Sequence, residues 1–176
     1  MNMLDNDTKN TILVIHNIRS AANVGSMFRT ADGAGVQEIW LTGYTPSPAK
    51  WNQKYLTKAE KSLAKAALGA EYFIPWKRGA LLGSLISQLR SLGYLVIGLE
   101  QSEQSVSFDE IKAEQTFVLI VGNEVRGLDS RILKQCDVIG ELPMYGKKNS
   151  LNVSVACGIA LYALRDIIKK SKKNIC

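Results

Sequence analysis

Three short segments of the sequence carry polar side chains of types that take part in chemistry. They are far apart in the chain, and each lies next to an apolar run. Their polar members are Asn23 and Arg29 in the first segment, Glu124 in the second, and Asn149, Ser150 and Asn152 in the third. Guanidinium, amide and hydroxyl groups bind anions, as do the free backbone N–H groups at a helix start. The residue types therefore indicate a site for an anionic group.

Each segment also has a structural interpretation. Ser or Asn ahead of a helix is most often an N-cap, which would account for Ser150 and Asn152. Arg29 falls in a weakly charged helix, where a buried guanidinium needs an anionic partner such as Asp32. Glu124 follows a predicted buried strand, and it either orders its loop by accepting backbone N–H bonds or pairs with an arginine from another loop. The residues by themselves leave these alternatives open.

Familiar nucleotide, metal and hydrolase motifs are absent from the sequence. Gly33-Ala34-Gly35 lacks the third glycine of a dinucleotide-binding loop, and no P-loop, H-E-x-x-H or G-x-S-x-G pattern occurs. The single histidine, His16, lies at the end of a predicted strand, where a structural role is expected. The cysteines have no C-x-x-C spacing, so neither a zinc site nor a disulfide framework is predicted; they are Cys136, Cys157 and Cys176.

The charge is unevenly distributed along a chain whose net charge is +6. The stretch from Lys50 to Lys65 contains five lysines and only one acidic residue, Glu60. A second basic cluster runs from Arg165 to Lys173. Such clusters are typical of phosphate-binding surfaces, although solvated helix faces have the same composition. The N-terminus has no signal-peptide pattern and no apolar span is long enough for a membrane, so a cytoplasmic protein is expected.

The elements that must position the polar segments alternate along the chain. Short β-branched and apolar runs predict strands at Thr11–His16, Glu38–Thr42, Tyr72–Ile74, Tyr94–Leu99, Thr116–Val121 and Val138–Leu142. Helical spacing and end signals predict helices within Asn17–Gly35 and at Lys58–Leu68, Ala80–Leu92, Ser130–Lys134 and Leu151–Leu164. The polar stretch 102–115 is expected to be a surface loop with one helical turn. This alternation predicts an α/β fold with a mainly parallel sheet and helices on both faces.

The predicted sheet places the polar segments together. Ligands of parallel sheets collect at the carboxyl ends of the strands, which puts all three segments on one rim. A chain of 176 residues is expected to form one domain, with a core at about 11–166 and a basic tail at 167–176. The segment Leu151–Leu164 has no formal charge, so its helix is expected to be covered on every side, with a second subunit as one source of cover.

Taken together, the three segments resemble the motifs of the SpoU/TrmH-type RNA ribose 2′-O-methyltransferases of the SPOUT superfamily. The first motif is Asn23-Val24-Gly25 followed by Arg29-Thr30-Ala31, and the second is Val121-Gly122-Asn123-Glu124 with Gly127-Leu128. The third comprises Leu142-Pro143-Met144, Gly146 and Ser150 to Ala156. The resemblance runs from about Ile12 to Arg165, in the family's order. One departure is Leu142, where the family more often has Ile.

The resemblance implies several structural features. It implies that the C-terminal part is threaded into a deep trefoil knot and that the protein is a homodimer with its site near the subunit interface. It also implies that S-adenosylmethionine is the cofactor and that no metal is needed. The implied cofactor-binding residues are Leu99, Gly122, Leu142, Met144 and Leu151.

The resemblance also implies roles for the polar residues. Arg29 would stabilise the developing alkoxide of a ribose 2′-OH and organise a phosphate, because a guanidinium is too weak a base to remove the proton. Asn23 would position Arg29 or the ribose, and Glu124 would hold the arginine and the second loop. Ser150 and Asn152 would hold phosphate and ribose.

The implied substrate is RNA, with tRNA expected ahead of ribosomal RNA. Lys147, Lys148 and the two basic clusters would contact phosphates. Trp51 and Tyr55 are possible stacking surfaces, although packing inside the protein is their expected role. A non-catalytic RNA-binding protein that keeps the fold is the alternative, and a methyltransferase for small molecules is disfavoured by the basic charge.

Overall fold

The computed structural model describes residues 11–79, 81–111 and 116–173. Its strands form one sheet in the order β3-β2-β1-β6-β4-β7-β5, and every pairing between them is parallel. The strands are β1 (Thr11–His16), β2 (Glu38–Thr42), β3 (Trp76–Gly79), β4 (Leu95–Leu99), β5 (Val106–Ser107), β6 (Phe117–Val121) and β7 (Val138–Glu141). The predicted parallel sheet is confirmed.

Helices connect the strands. They are α1 (Ala21–Gly33), α2 (Lys58–Ala67), α3 (Ala70–Phe73), α4 (Leu82–Ser91), α5 (Ser130–Leu133) and α6 (Val153–Lys173), with a 3-10 turn at Phe108–Glu110. Within the described ranges, no helix is both long and apolar enough to cross a membrane.

Alternating strand residues divide the core into two layers, one on each face of the sheet. Leu13 and Ile15 of β1 point to the layer that contains α1, α2 and α6. Ile12 and Val14 point to the opposite layer, which contains α4 and the Ile132 side chain of α5. Because both sides of the central strands are covered, these strands are continuous apolar runs. The prediction of helices on both faces is confirmed.

The predicted strand at Tyr72–Ile74 is wrong. This stretch forms the short helix α3, which is separated from α2 by Gly69 at φ 93°. Ala70 and Ile74 are buried, whereas Tyr72 and Phe73 are exposed, so the burial repeats at helical spacing. The strand follows instead at Trp76–Gly79, and pairing of this edge begins where the backbone N–H of Ile39 donates to the Pro75 carbonyl.

Two other boundaries differ from the prediction. The polar stretch 102–115 contains the two-residue edge strand β5, which pairs with β7 and has too few residues to show an alternating pattern. Its 3-10 turn includes Asp109, where a helical turn was predicted, and residues 112–115 lie outside the described ranges. Helix α6 extends from Val153 to Lys173, through most of the predicted basic tail, of which residues 174–176 lie outside the described ranges.

Helix α6 is not covered on every side within one chain. Its buried residues Cys157, Leu161 and Leu164 face the core. Val155, Ile159 and Tyr162 are about half exposed, at 51%, 46% and 52%, and they follow one another along the same helical face. One chain therefore leaves this face exposed, and its cover by a second subunit stays a prediction. The knot remains a prediction, because pairing order alone does not trace how the chain is threaded.

Close packing of α1 on α2 depends on Gly25. A Cβ at this position would lie 2.9 Å from the Ala66 Cβ and 3.0 Å from the Ala67 backbone nitrogen, and closer still to the Leu63 carbonyl oxygen. Glycine at this position therefore permits two backbones to approach closely. The approaching group is helix α2, which thereby fixes the orientation of α1 and of the polar residues on it.

Gly25→Ala is expected to lower the free energy of unfolding by about 1–3 kcal/mol, because the added methyl group must push α2 away. Gly146→Ala is the matched control, since a Cβ there would have nothing within 4 Å. The control should change the stability by less than about 0.5 kcal/mol. Urea unfolding followed by circular dichroism measures both values, and equal stabilities of the two variants would contradict the close packing.

Candidate active site

A cavity of about 310 Å³ opens where β4, β6 and β7 end. The loops that follow these strands and the start of α6 form its walls. All five residues predicted to bind a cofactor line it: Leu99, Gly122, Leu142, Met144 and Leu151. Glu124 and Ser150 also line the cavity. Residues from four separate parts of the chain are therefore brought together at the predicted rim, and their role as a binding site remains a prediction.

A chain of hydrogen bonds joins the three polar segments beside this cavity. The Asn152 Nδ2 donates to the Asn23 Oδ1 at 3.2 Å, and the Asn23 Nδ2 donates to the Glu124 Oε1 at 3.4 Å. Glu124 also accepts the backbone N–H groups of Arg19 at 3.1 Å and Ser20 at 2.9 Å. Of the two alternatives for Glu124, the structure shows acceptance of backbone N–H bonds, although these N–H groups belong to the start of α1. Within the described residues Glu124 forms no ion pair with an arginine.

The environment of Glu124 keeps it ionised. Partial burial raises the pKa of its carboxyl group, but the backbone N–H bonds and the Asn23 amide together outweigh burial and hold the pKa below its ordinary value. A carboxylate that already accepts several N–H bonds is a weak base. Glu124 is therefore suited to holding the loops together and unsuited to removing a proton from a substrate.

Asn123 is a structural residue that the sequence interpretation did not select. It is buried, its Oδ1 accepts the backbone N–H groups of Val125 and Arg126, and its Nδ2 donates to the Asn17 carbonyl and to the Tyr44 hydroxyl, both at 2.9 Å. One side chain thus shapes its own turn and ties it to the loops after β1 and β2. An amide that directly follows a buried strand was the available sequence signal.

The two glycines of the second motif permit this tight turn. Asn123 and Gly127 exchange backbone hydrogen bonds of 3.1 and 2.9 Å. A Cβ on Gly122 would lie 2.5 Å from the Gly127 carbonyl carbon, and Gly127 itself has φ 63°, a value that favours glycine. A side chain at either position would open the turn and displace the cavity wall.

His16 has the structural role that its position predicted. Its Nδ1 lies 2.8 Å from the Thr42 Oγ1, and its Nε2 lies 2.9 Å from the Asn17 Nδ2. Because the Asn17 amide donates to Nε2, the network assigns the proton to Nδ1 of a neutral ring. Burial lowers the pKa of His16, and the charge of Asp129 only partly opposes this effect. The ring holds Asn17, whose φ is 55°, at the turn that leads into α1.

Only one of the two residues interpreted as N-caps of α6 serves as a cap. Asn152 is an N-cap: its Oδ1 accepts the Ser154 N–H at 2.9 Å and its carbonyl accepts the Ala156 N–H at 2.9 Å. Its Nδ2 is still free to bind Asn23, so one amide serves both the helix and the site. Ser150 does not cap the helix and is exposed on the cavity wall. Its hydroxyl is available to a ligand.

Arg29 differs most from its expected environment. It is exposed on α1, and within the described residues it forms no ion pair with Asp32, Glu124 or any other acid. It also does not line the cavity. The expectation of a buried guanidinium with an anionic partner is therefore wrong. The reason is helical geometry: Phe28 and Ala31 are buried in the core, and this rotation turns Arg29 outward.

Two further carboxylates line the cavity and were not predicted. The Glu100 Oε2 accepts the Leu128 N–H at 2.8 Å, and the Glu141 Oε2 accepts the Ser105 hydroxyl at 2.6 Å. Both residues stand at the carboxyl end of a strand, which was the signal in the sequence. Together with Glu124 they make the cavity suitable for a ligand that carries positive charge. In the described part of the chain, no three acidic, His or Cys side chains are grouped as metal ligands would be.

These features define an α/β protein with a cavity at the carboxyl ends of its parallel strands and a hydrogen-bonded polar cluster beside it. The chain belongs to the SpoU rRNA Methylase family, whose family model matches residues 10–162. The resemblance found in the sequence is thus confirmed.

Individual relatives agree with this assignment. The 23S rRNA (guanosine(2553)-2′-O)-methyltransferase RlmP of Bacillus subtilis is 34% identical over 158 residues, which cover 90% of this chain and 59% of that protein. An AdoMet-bound rRNA methyltransferase from Sinorhizobium meliloti has a TM-score of 0.78 at 28% identity, covering 90% of this chain and 57% of that one. A TrmH/SpoU tRNA modifying enzyme from A. aeolicus has a TM-score of 0.78 at 26% identity, covering 93% and 78% of the two chains.

Glu124→Gln is expected to remove an acid-sensitive contribution to stability. The pKa of Glu124 is lower in the folded protein than its value of 4.5 in the unfolded chain. The ionised carboxylate therefore adds its full contribution to the free energy of unfolding above pH 4.5, and this contribution is lost as the pH falls through the pKa of the folded state. The wild type should therefore exceed the variant in free energy of unfolding near neutral pH, and the difference should shrink below about pH 4.5. Urea unfolding across this pH range is the measurement, with Glu103→Gln, an exposed glutamate, as control. A difference in free energy of unfolding that stays constant with pH would contradict the lowered pKa of Glu124.

Proposed function

We propose that the protein is an S-adenosylmethionine-dependent RNA methyltransferase that transfers a methyl group to a ribose 2′-OH. The observation that carries this proposal is the hydrogen-bonded meeting of Asn23, Glu124 and Asn152 beside the cavity. These residues come from three distant motifs, and their assembly at one rim is what a site built from those motifs requires. The chain spans 59% of the Bacillus subtilis relative, so its activity is inferred from its own residues.

The cavity suits the cofactor in size and charge. Its volume of about 310 Å³ falls within the range of about 300–1,000 Å³ common for small-molecule sites. The apolar side chains of Leu99, Leu142 and Leu151 offer contacts for an adenosyl group. Glu100, Glu124 and Glu141 supply negative charge for a cationic ligand. When bound, S-adenosylmethionine supplies a methyl group already activated by a positively charged sulfur.

The chain's own residues would bind and orient the RNA. Ser150 offers a hydroxyl at the cavity wall, and Asn152 is held in place by its two roles as N-cap and as partner of Asn23. Glu124 fixes these groups and does not accept the proton. The 2′-OH proton would pass to a phosphate of the RNA substrate organised by Arg29, and S-adenosylhomocysteine would be the leaving product. Arg29 keeps its positive charge unpaired, as a group that stabilises an alkoxide or binds a phosphate must. Placing the reacting groups correctly can supply on the order of 7–11 kcal/mol of the barrier reduction.

We further infer that the functional unit is a homodimer. Val155, Ile159 and Tyr162 form an exposed apolar stripe on α6, and such stripes are usually covered. The Tyr162 hydroxyl lies 3.1 Å from where a Cβ of Gly33 on α1 would be. Arg29 is one helical turn from Gly33, and therefore lies next to this stripe. Arg29 does not line the cavity of its own chain. Contact between two copies through the stripe would place Arg29 at the boundary between the subunits.

Two classes of RNA, tRNA and ribosomal RNA, are the candidate substrates. The similarity to a TrmH/SpoU tRNA modifying enzyme from A. aeolicus, with a TM-score of 0.78 at 26% identity, supports tRNA, the predicted class. The 34% identity to a protein named as a 23S rRNA methyltransferase supports ribosomal RNA as the second candidate. Both candidates require the same chemistry at the same residues.

Transfer of label from methyl-labelled S-adenosylmethionine to total tRNA and, separately, to ribosomal RNA tests the proposal. We expect label in one RNA class, recovered after nuclease digestion as a 2′-O-methyl nucleotide. Arg29→Ala should lose at least 100-fold in rate, an order of magnitude set by the loss of one charge-stabilising donor, while cofactor affinity measured by calorimetry changes little. An equal loss of cofactor affinity would contradict the proposed role of Arg29, and label on a base would contradict the reaction.

Ile159→Glu is expected to produce a monomer, because a charge in the middle of the apolar stripe disfavours its burial. Sedimentation velocity measures the change, and Leu92→Glu, a substitution at an exposed apolar residue at the end of α4, is the control. Far-UV circular dichroism should remain unchanged in both variants. A wild type that sediments as a monomer would contradict the inferred homodimer.

A further inference from the structure

We propose that the segment Lys50–Tyr55, together with α2 and α3, forms an RNA-binding surface that stacks unpaired bases beside the candidate active site. This inference rests on the proposed function, because it describes how an RNA methyltransferase of this fold would hold its substrate. We call the region the aromatic–lysine surface. Its aromatic members are Trp51, Tyr55, Tyr72 and Phe73, and its basic members are Lys50, Lys54, Lys58, Lys61 and Lys65.

The aromatic side chains of this surface are exposed. Trp51 is 78% and Tyr55 88% exposed, so the prediction that they pack inside the protein is wrong. Tyr72 and Phe73 are 63% and 76% exposed on the adjacent helix α3. A monomeric protein rarely exposes so many large rings together, and such a patch marks a binding site.

The rings are arranged so that they can receive flat partners. Trp51 and Tyr72 meet edge to face, with ring centroids 6.0 Å apart and planes at 86°. In this geometry each ring supports the other without stacking on it, so ring faces stay accessible. Nucleic-acid bases stack on such faces regardless of sequence.

The lysines give the surface its charge. All five are exposed, and within the described residues none of them forms an ion pair. Lys58, Lys61 and Lys65 follow one another along one side of α2, opposite the buried Leu63 and Ala67. Unpaired lysines in a row beside aromatic rings match a sugar-phosphate backbone with bases on one side.

Glu60, the only acidic residue between Lys50 and Lys65, serves the structure of the surface. The Gln53 Nε2 donates to Glu60 at 3.0 Å and to the Tyr55 carbonyl at 2.8 Å, and the Thr57 N–H donates to Glu60 at 2.7 Å. Hydrogen bonds from Thr57 and Gln53 lower the pKa of Glu60. These bonds fix the loop before any ligand arrives, which reduces the entropy lost on binding.

The loop of the aromatic–lysine surface begins on the same rim of the sheet as the cavity. This loop continues from the carboxyl end of β2, and Tyr44 near the start of that loop holds Asn123 of the second motif through its hydroxyl. Helix α2 packs directly on α1 at Gly25, two residues from Asn23. An RNA strand held by the surface would therefore be positioned relative to the polar cluster through rigid elements.

The surface fits unpaired RNA better than a duplex. Bases inside a helix are stacked on each other and present no face to a protein ring, and single-stranded loops are the usual targets of aromatic stacking. The loop Lys50–Tyr55, which carries Trp51 and Tyr55, contains no helix or strand that could enter a groove. The class of partner that matches both the rings and the charges is therefore an RNA loop or end.

The test compares binding of a fluorescently labelled 12-nucleotide single-stranded RNA and of the corresponding duplex by anisotropy, at several salt concentrations. We expect the wild type to prefer the single strand and Trp51→Ala to bind it about tenfold more weakly, whereas Trp51→Phe retains most of the affinity. Lys58→Gln/Lys61→Gln should reduce the log–log salt slope by roughly 1.4. Lys134→Gln, at an exposed lysine on the opposite layer, should leave both quantities unchanged.

Three outcomes would overturn the inference: equal affinity for single strand and duplex, unchanged affinity in both Trp51→Ala and Tyr55→Ala, or binding to anionic lipid vesicles but not to RNA. Cofactor affinity, measured by calorimetry, should be the same in wild type and variants, which separates this surface from the cavity. A wild type that binds single-stranded RNA in this manner but transfers no methyl group would contradict the proposed function and leave the surface intact. Methyl transfer without any effect of the surface variants would contradict the surface alone.

Discussion

The Glu124 carboxylate is the interaction on which the candidate site depends. It accepts the backbone N–H groups of Arg19 and Ser20 ahead of α1, and the side chain of Asn23 within α1. The loop after β6 and the start of α1 are thereby joined, although they lie more than a hundred residues apart. Asn152 then adds the start of α6 to the same group through Asn23. Without this carboxylate, the backbone N–H groups ahead of α1 would lose their hydrogen-bond acceptor. The three motifs would then no longer be held at fixed distances.

This structural role restricts the chemistry that the site can perform. A carboxylate whose pKa is lowered by N–H donors does not act as a general base near neutral pH. The neutral His16 ring is also committed, because Thr42 and Asn17 occupy both of its nitrogens. Among the described residues, the groups left free at or near the cavity include the Ser150 hydroxyl and the Arg29 guanidinium. A site of this kind acts by positioning and by stabilising negative charge, which suits a reaction whose second reactant arrives already activated.

Exposed apolar and aromatic side chains mark the two surfaces through which the protein would contact its partners. The apolar stripe of Val155, Ile159 and Tyr162 carries no charge and suits a second copy of the chain. The aromatic–lysine surface combines rings with unpaired ammonium groups and suits a polyanion with flat bases. Both adjoin α1, which contacts α6 near Gly33 and α2 at Gly25. One helix therefore connects the cavity, the inferred dimer contact and the inferred RNA surface.

The sequence by itself determined the parallel α/β class, nearly all of the elements and the identity of the three motifs. Strands buried on both faces must be apolar runs, and helices must bury one stripe, so a one-dimensional pattern reports them. Trp76–Gly79 was missed because the aromatic pair Tyr72 and Phe73 resembles a strand, and only the turn at Gly69 and the burial of Ala70 and Ile74 make that stretch helical. Tertiary structure alone decided that Asn123 ties three loops together, that Arg29 and Trp51 face outward, and which alternative holds for Glu124. The physical reason is that hydrogen-bond partners and exposure depend on which distant segments pack together, and local residue patterns do not contain that information.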